Sequence, residues 1–205
     1  FTLAGLAQSL DMPVLVITDR PDNALGIYHQ VGMWSKTDSL VMHFPENENL
    51  PFERLVSDVD TIHQRLEVLS ALSEAGIHQP LVISSVTAIL QKTIAKNSLT
   101  SIRHTLHQGD KIKLQEVLSR WNQMGYQFES TVYIPGHASL RGGIVDVFPV
   151  GSKEPVRIEL WGDEITSMRF FDPETQRSTG AVNSVSLWPA SETLPRLTQP
   201  DEVKC

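Results

Sequence analysis

Val156 to Phe171 reads VRIELWGDEITSMRFF, and the alternation in it decides the fold of the second half of the chain. Side chains on a strand point alternately to its two faces. Val156, Ile158 and Leu160 therefore share an apolar, core-facing side, and Arg157, Glu159 and Trp161 share the other. Gly162-Asp163 is a turn signal. Beyond it the alternation puts Ile165, Ser167, Arg169 and Phe171 on one face and Thr166, Met168 and Phe170 on the other. Pairing of the two strands across the turn gathers Arg157, Trp161, Arg169 and Phe171 on one surface, and Arg141 leads into the strand alongside. Arginine with an exposed aromatic is the composition enriched at the energetic centre of protein interfaces. A plainer reading has Arg157 paired with Glu159 or a cross-strand acid, and Trp161 covering a sheet edge.

Outward from this hairpin the grammar stays antiparallel. Strands are expected over 101–106, 131–134, 143–148, 156–161, 165–171 and 185–188, separated by turn signals at Pro135-Gly136, Gly151-Ser152 and Gly162-Asp163. One helix stands among them, with Asp110 as N-cap, Leu114, Val117, Leu118 and Trp121 on one face, and Gly125 as stop.

The first half alternates short apolar runs with helical patterns. Residues 1–10 read as a helix. Pro13 to Thr18 (PVLVIT) has the continuous apolar character of a strand buried on both faces. Pro21 sits at a first helical position, and residues 22–34 follow as a helix. Leu40 to Phe44 and Pro80 to Val86 are further strands. Between them a helix carries Val59, Ile62, Leu66, Leu69 and Leu72 on one stripe, with Gly76 placed to end it. A short helix follows over 87–94. Such alternation argues for a parallel sheet under helices. The division between the halves is placed at 97/98.

Composition narrows the function classes. The 205 residues carry 17 basic and 24 acidic side chains, a formal net charge of −7. Residues 1–97 hold a net −5 and residues 98–195 a net −2, so neither half has the cationic footprint of a nucleic-acid binder. No apolar run reaches the ~18 residues of a membrane span. The lone Cys205 excludes an internal disulfide and fits a reducing cytoplasm. A chain that opens on Phe1 inside a helical pattern reads as a piece of a longer polypeptide. G-x-x-x-x-G-K-[ST], G-x-G-x-x-G and H-E-x-x-H are all missing, and no catalytic, cofactor-binding or metal-ligating set emerges. His104 and His107 flank a strand end and point to opposite faces. Ser84-Ser85 reads as a strand end and helix N-cap. Asp19-Arg20 occupies the strand edge where α/β sites gather, but helix-start chemistry accounts for it.

The stretch from Ser139 to Pro189 is the most specific. Arg141-Gly142-Gly143, Val145-Asp146-Val147-Phe148-Pro149, Arg157-Ile158-Glu159-Leu160, Gly162-Asp163-Glu164-Ile165, Phe171-Asp172-Pro173 and Leu187-Trp188-Pro189-Ala190 follow one another in order. Together they resemble the domain shared by the excision-repair protein UvrB and the bacterial transcription-repair coupling factors (Mfd). Leu50-Pro51-Phe52-Glu53 with Arg65, Leu66 and Leu69, and the absence of tyrosine from His43 to Leu72, look like the coupling factors. The resemblance implies an α/β fold: a helicase-like parallel-sheet domain over 1–97, incomplete and without ATPase machinery, followed by a smaller α+β antiparallel insert domain over 98–195. Residues 196–205 would begin a truncated return into the first domain. It implies UvrA as partner, with Arg141, Arg157 and Trp161 at contact positions and Arg169 and Phe171 beside them. As docking residues, Arg157 and Trp161 are expected to tolerate truncation with the fold nearly intact. RNA polymerase and DNA would be met by downstream domains, where ATP and magnesium would serve a translocating motor. No cofactor and no membrane is expected for this piece itself. The competing reading is a piece of UvrB or another helicase-like ATPase cut after its P-loop.

Overall fold

A computed structural model of the chain describes residues 2–10, 12–34, 41–47, 59–74, 80–192 and 194. The chain has mixed α/β content in two compact units, Phe1–Thr93 and Ile94–Cys205. The expected division at 97/98 falls inside a helix.

In the first unit α1 (Thr2–Ser9), β1 (Val14–Thr18), α2 (Pro21–Gly32), β2 (Val41–Phe44), α3 (Val59–Ser73), β3 (Leu81–Ser85) and α4 (Val86–Leu90) follow in order. The three strands form a parallel sheet in the order β1-β3-β2. The central strand, LVISS, is buried throughout. Ala24 and Val31 of α2 close on Leu81, Ile83 and Val41 on one face. Phe44, Val82, Val68 of α3 and Ala88 of α4 pack on the other. Pro21 opens α2, and Asn23 Nδ2 donates to Asp19 Oδ1, so Asp19-Arg20 is helix-start structure. Ser85 caps α4 by accepting from Ala88 N at 3.2 Å.

Two expectations for this unit are corrected. Among the described residues β1 is the outer strand of its sheet, and Leu15 and Ile17, expected to be buried, are about half exposed on one face. The stripe on α3 turns out of the core at Leu72, which is exposed, while Arg65 is buried. Arg65 is tolerated there because Nη1 donates to Pro45 O at 2.7 Å and the guanidinium lies 4.3 Å from the Phe44 ring centre. Leu50 to Glu53, Gly76 and residues 196–205 lie outside the described residues.

The second unit contains α5 (Lys96–Ile102), β4 (His104–His107), α6 (Leu114–Gln123), β5 (Gln127–Phe128), β6 (His137–Arg141), β7 (Ile144–Val147), β8 (Val156–Trp161), β9 (Glu164–Phe171), β10 (Ser178–Ala181) and β11 (Ser184–Leu187). Six of its strands form one sheet in the order β10-β9-β8-β7-β6-β5, antiparallel except for the β5–β6 pair, while β11 and β4 pair separately. The core lies on the sheet's inner face, where Val145, Val147, Val156, Ile158, Ile165 and Met168 meet Val117 and Trp121 of α6, and Leu106, Tyr126 and Leu187. Burial pushes the Tyr126 phenol up from its ordinary value, and its hydroxyl donates to Trp188 O at 3.0 Å.

Local chemistry explains the misread boundaries. Residues 96–102 form a helix that buries Leu99, so the strand expected from Ser101 begins only at His104. Asp110 does not cap α6. Its Oδ2 accepts from His107 N at 2.7 Å across a tight turn, and Ile112 N bonds Asp163 O before the helix starts at Leu114. Residues 131–134 are not a strand. Val132 alone is buried, sealing a small cluster with Phe148 and Phe171, while Tyr133 and Ile134 are exposed. His104 is half-buried in β4, where its Nδ1 accepts from Trp121 Nε1 at 3.0 Å.

Candidate protein-docking face

The outer face of the six-stranded sheet is built by two hairpins. Gly142-Gly143 joins β6 to β7, with Arg141 opposite Ile144. Gly162-Asp163 joins β8 to β9, with Trp161 opposite Glu164. Gly142 and Gly162 adopt φ of 61° and 62°, a conformation two-residue hairpins need and glycine supplies without strain. A side chain at Gly143 would start 3.0 Å from Leu160 O, so the two hairpins abut at backbone distance.

The register lines up rows of side chains on this face. One row runs Ser139, Asp146, Arg157, Arg169, and the next runs Arg141, Ile144, Glu159, Ser167. The β8–β9 pairing shifts between Glu159 and Leu160. This bulge overturns the simple alternation read along β9. Ile165 opposes Leu160 on the core side, Thr166 is extra, and only from Ser167 onward do the odd positions face outward.

Asp146 organises the face. Its side chain is 1% exposed, and it receives three charge-assisted hydrogen bonds. Arg157 Nε donates to Oδ1 at 2.7 Å and Nη2 to Oδ2 at 2.8 Å, a two-pronged pair. Arg141 Nη2 donates to the same Oδ2 at 2.8 Å. Arg157 also donates from Nη1 to Gln176 O at 3.3 Å and from Nη2 to Gln176 Oε1 at 3.4 Å, and lies 4.6 Å from the Phe171 ring centre. Gln176, at φ 59°, is itself held by Pro173 O at 2.7 Å. Hydrogen bonding to Asp146 raises the Arg157 guanidinium further above its ordinary range; the charges of Asp146 and Glu159 add to this, and burial opposes it.

The five side chains singled out in the sequence thus separate. Trp161 is 80% exposed, with no core role. Arg141 is 51% exposed at the side chain, beside Ile144. Arg169 is exposed and reaches Glu159 Oε2 at 3.4 Å, where Ser167 Oγ also donates at 2.7 Å. Arg157 is only 18% exposed. It pairs with a cross-strand acid, the plainer of the two readings its sequence allows, so truncating it would strip two bonds from a buried carboxylate. Phe171 is wholly buried against Val132 and Phe148 beneath Arg157, and so is corrected from a surface position to a buried support. Asp146 escaped notice in the sequence. Its signal was a carboxylate inside the apolar run Ile144 to Val147, which a buried strand tolerates only with a cationic partner.

The chain is similar to known proteins over most of its length. A family model described as the UvrB interaction domain matches residues 105–192. The transcription-repair-coupling factor of Bacillus subtilis is 32% identical over 193 residues, covering 94% of this chain. Those of Escherichia coli and Mycobacterium tuberculosis are 28% identical over 190 residues and 35% identical over 187 residues, covering 93% and 88% of it. The chain spans 16% of the B. subtilis and E. coli relatives and 15% of the M. tuberculosis one. A UvrB interaction domain in the second unit, with similarity running through most of the first as well, shows that the chain belongs to the transcription-repair-coupling factor family.

Proposed function

We propose that this chain is a docking module for the repair protein UvrA, engaged through the outer face of the six-stranded sheet around Arg141, Trp161 and Arg169. The observation that carries the reading is a large indole standing almost fully in solvent on a sheet that also presents the half-exposed Arg141, inside the segment that matches the UvrB interaction domain. An exposed tryptophan next to arginine has the composition of an interface centre. The first unit, a parallel sheet with helices against it, is read as the helicase-like domain of a longer protein. In the longer protein that the relatives represent, the module would bring UvrA to stalled RNA polymerase in the cytoplasm. Other domains would use ATP and magnesium to translocate on DNA. Among the described residues no helix is long and apolar enough to cross a membrane.

The test is titration of purified UvrA into the chain by calorimetry. Saturable binding that is lost in the Arg141→Ala/Trp161→Ala double variant supports the reading. Absence of binding by the wild-type chain, or full binding by the double variant, refutes the proposed face.

A further inference from the structure

We propose that Asp146 is the positioning residue of this face. It consumes Arg157 within the domain and leaves Arg141 to meet the partner, so that the UvrA surface seated here presents a carboxylate to Arg141 beside an apolar contact for Ile144 and Trp161. The inference rests on the UvrA-docking reading and names the chemistry of that contact.

The donor inventory carries it. A guanidinium has five N–H groups in a planar fork. Arg157 makes four hydrogen bonds with three nitrogens, all to Asp146 and Gln176, and stacks on Phe171. Little of it is left for a partner. Arg141 makes one, from Nη2 to Asp146 Oδ2, among the described residues. That single bond tethers one end of the guanidinium, and with the side chain 51% exposed the rest of the fork is open to solvent. Two guanidiniums on one carboxylate leave one positive charge uncompensated, and it lies on the more exposed partner, Arg141.

A planar cationic fork is matched by a carboxylate or a phosphate. The surroundings favour the carboxylate. Ile144 sits directly opposite Arg141, and Leu160 N donates to Gly143 O at 2.8 Å, which brings the strand carrying Trp161 against the Gly142-Gly143 turn. Apolar side chains flanking one cation suit a protein surface. A phosphate backbone would call for a run of cations, whereas this face carries Asp146 and Glu159 among its arginines, and the chain is net acidic at −7.

The test is a double-mutant cycle on the full chain, with UvrA affinity and melting temperature measured for each variant. Arg141→Ala is expected to weaken UvrA binding about thirtyfold and Asp146→Asn about tenfold. Asp146→Asn/Arg141→Ala should bind no more weakly than Arg141→Ala alone, because Asp146 acts through Arg141. Full affinity in Asp146→Asn, or a loss that adds undiminished to that of Arg141→Ala, overturns the proposal. A role in folding alone would give that additive result. Should Asp146→Asn not fold, Arg141→Lys decides. It keeps the charge but not the fork, so it should bind about tenfold more weakly, and full affinity would overturn the proposal. If the wild-type chain does not bind UvrA, the docking reading fails by itself. The positioning claim is then read from nitrogen-15 spectra of the arginine side chains. A restrained Arg141 guanidinium that is released in Asp146→Asn supports it, and one equally mobile in both overturns it. Binding of duplex DNA by the wild-type chain that is lost in Arg141→Ala would assign the fork to phosphate and overturn the carboxylate.

Discussion

Arg157→Ala separates the structural from the docking contribution of the outer face. The substitution removes both short bonds that Arg157 makes to Asp146, at 2.7 and 2.8 Å, and leaves that nearly inaccessible carboxylate with the single bond from Arg141. Removing one partner of a buried ion pair costs about 3–5 kcal/mol, because the other charge stays buried. The surviving Arg141 contact and the partial exposure of Arg157 put the expected loss near the lower end, about 3 kcal/mol. For a domain of this size each kcal/mol lowers the melting temperature by about 4 °C, so the second unit should melt about 10–12 °C earlier. The assay is thermal and urea unfolding followed by tryptophan fluorescence and circular dichroism. Arg141→Ala is the internal comparison, since an exposed arginine with one ion pair should cost no more than about 1 kcal/mol. Replacing the pair together, Asp146→Val/Arg157→Val, removes the stranded charge and should recover most of the loss. An Arg157→Ala variant that melts with the wild type would show that Asp146 does not depend on it, and the account of the face would fail.

Trp161→Ala should do the opposite of Arg157→Ala: stability within about 0.5 kcal/mol of wild type, as for a surface site, and UvrA affinity lower by about 2 kcal/mol, roughly thirtyfold. A melting temperature that falls with the affinity would make Trp161 structural. His104 should make stability pH-dependent. Burial, and secondarily Arg120, lower its pKa from 6.5 to about 4 against a raising influence from Asp110. Between those values the unfolded chain binds the proton and the folded chain does not, so stability present above pH 6.5 is lost as pH falls toward 4. After allowance for partial exposure the loss is about 1–2 kcal/mol; the wild-type and His104→Gln curves should converge in acid, and parallel curves would contradict the assignment. Residues 94–194 should unfold cooperatively as an isolated segment, since the core around Trp121, Ile158 and Ile165 is drawn wholly from within them. A segment without dispersed NMR signals would show that it needs the first unit.

The sequence carried the hairpin register and therefore most of the face. Two-residue turns leave little freedom, so Gly162-Asp163 places Arg157 and Trp161 on the outer side from sequence alone, whereas β6 and its Gly142-Gly143 turn carry no such reading and Arg141 is seen only as leading into the neighbouring strand. What it did not carry was the bulge beyond Glu159. The extra residue, Thr166, breaks the alternation between the turn and Ser167, so Ile165 faces the core while Ser167 and Arg169 keep the outward side that alternation assigns them. Phe171 failed differently. It does lie in phase with Ser167 and Arg169, but Val132 folds over it from a segment that looks, in sequence, like a strand of its own. The exposure of one face of β1 is not legible either: PVLVIT has the composition of a central strand, whereas among the described residues β1 is the outer strand of the order β1-β3-β2, with Leu15 and Ile17 half uncovered.

The buried Asp146 shows why a docking face can look structural and functional at once. An arginine held flexibly in water loses side-chain entropy when a partner fixes it, and that loss subtracts from affinity. Tethering Arg141 to Asp146 restrains the guanidinium before any partner arrives, and the stability of the domain, not of the complex, bears the cost of holding the carboxylate out of water. Arg157 is what makes that carboxylate tolerable, because its two bonds and its stacking on Phe171 satisfy Asp146 whether or not Arg141 is engaged. The arginine more open to a partner and the arginine more needed by the fold are therefore bound to one oxygen atom, Asp146 Oδ2. It follows that loss of binding on Arg157→Ala would not identify Arg157 as a contact, since the same substitution releases Asp146 to draw Arg141 inward. Only a variant that weakens UvrA binding while the melting temperature holds, as Trp161→Ala and Arg141→Ala should, identifies a group that touches the partner.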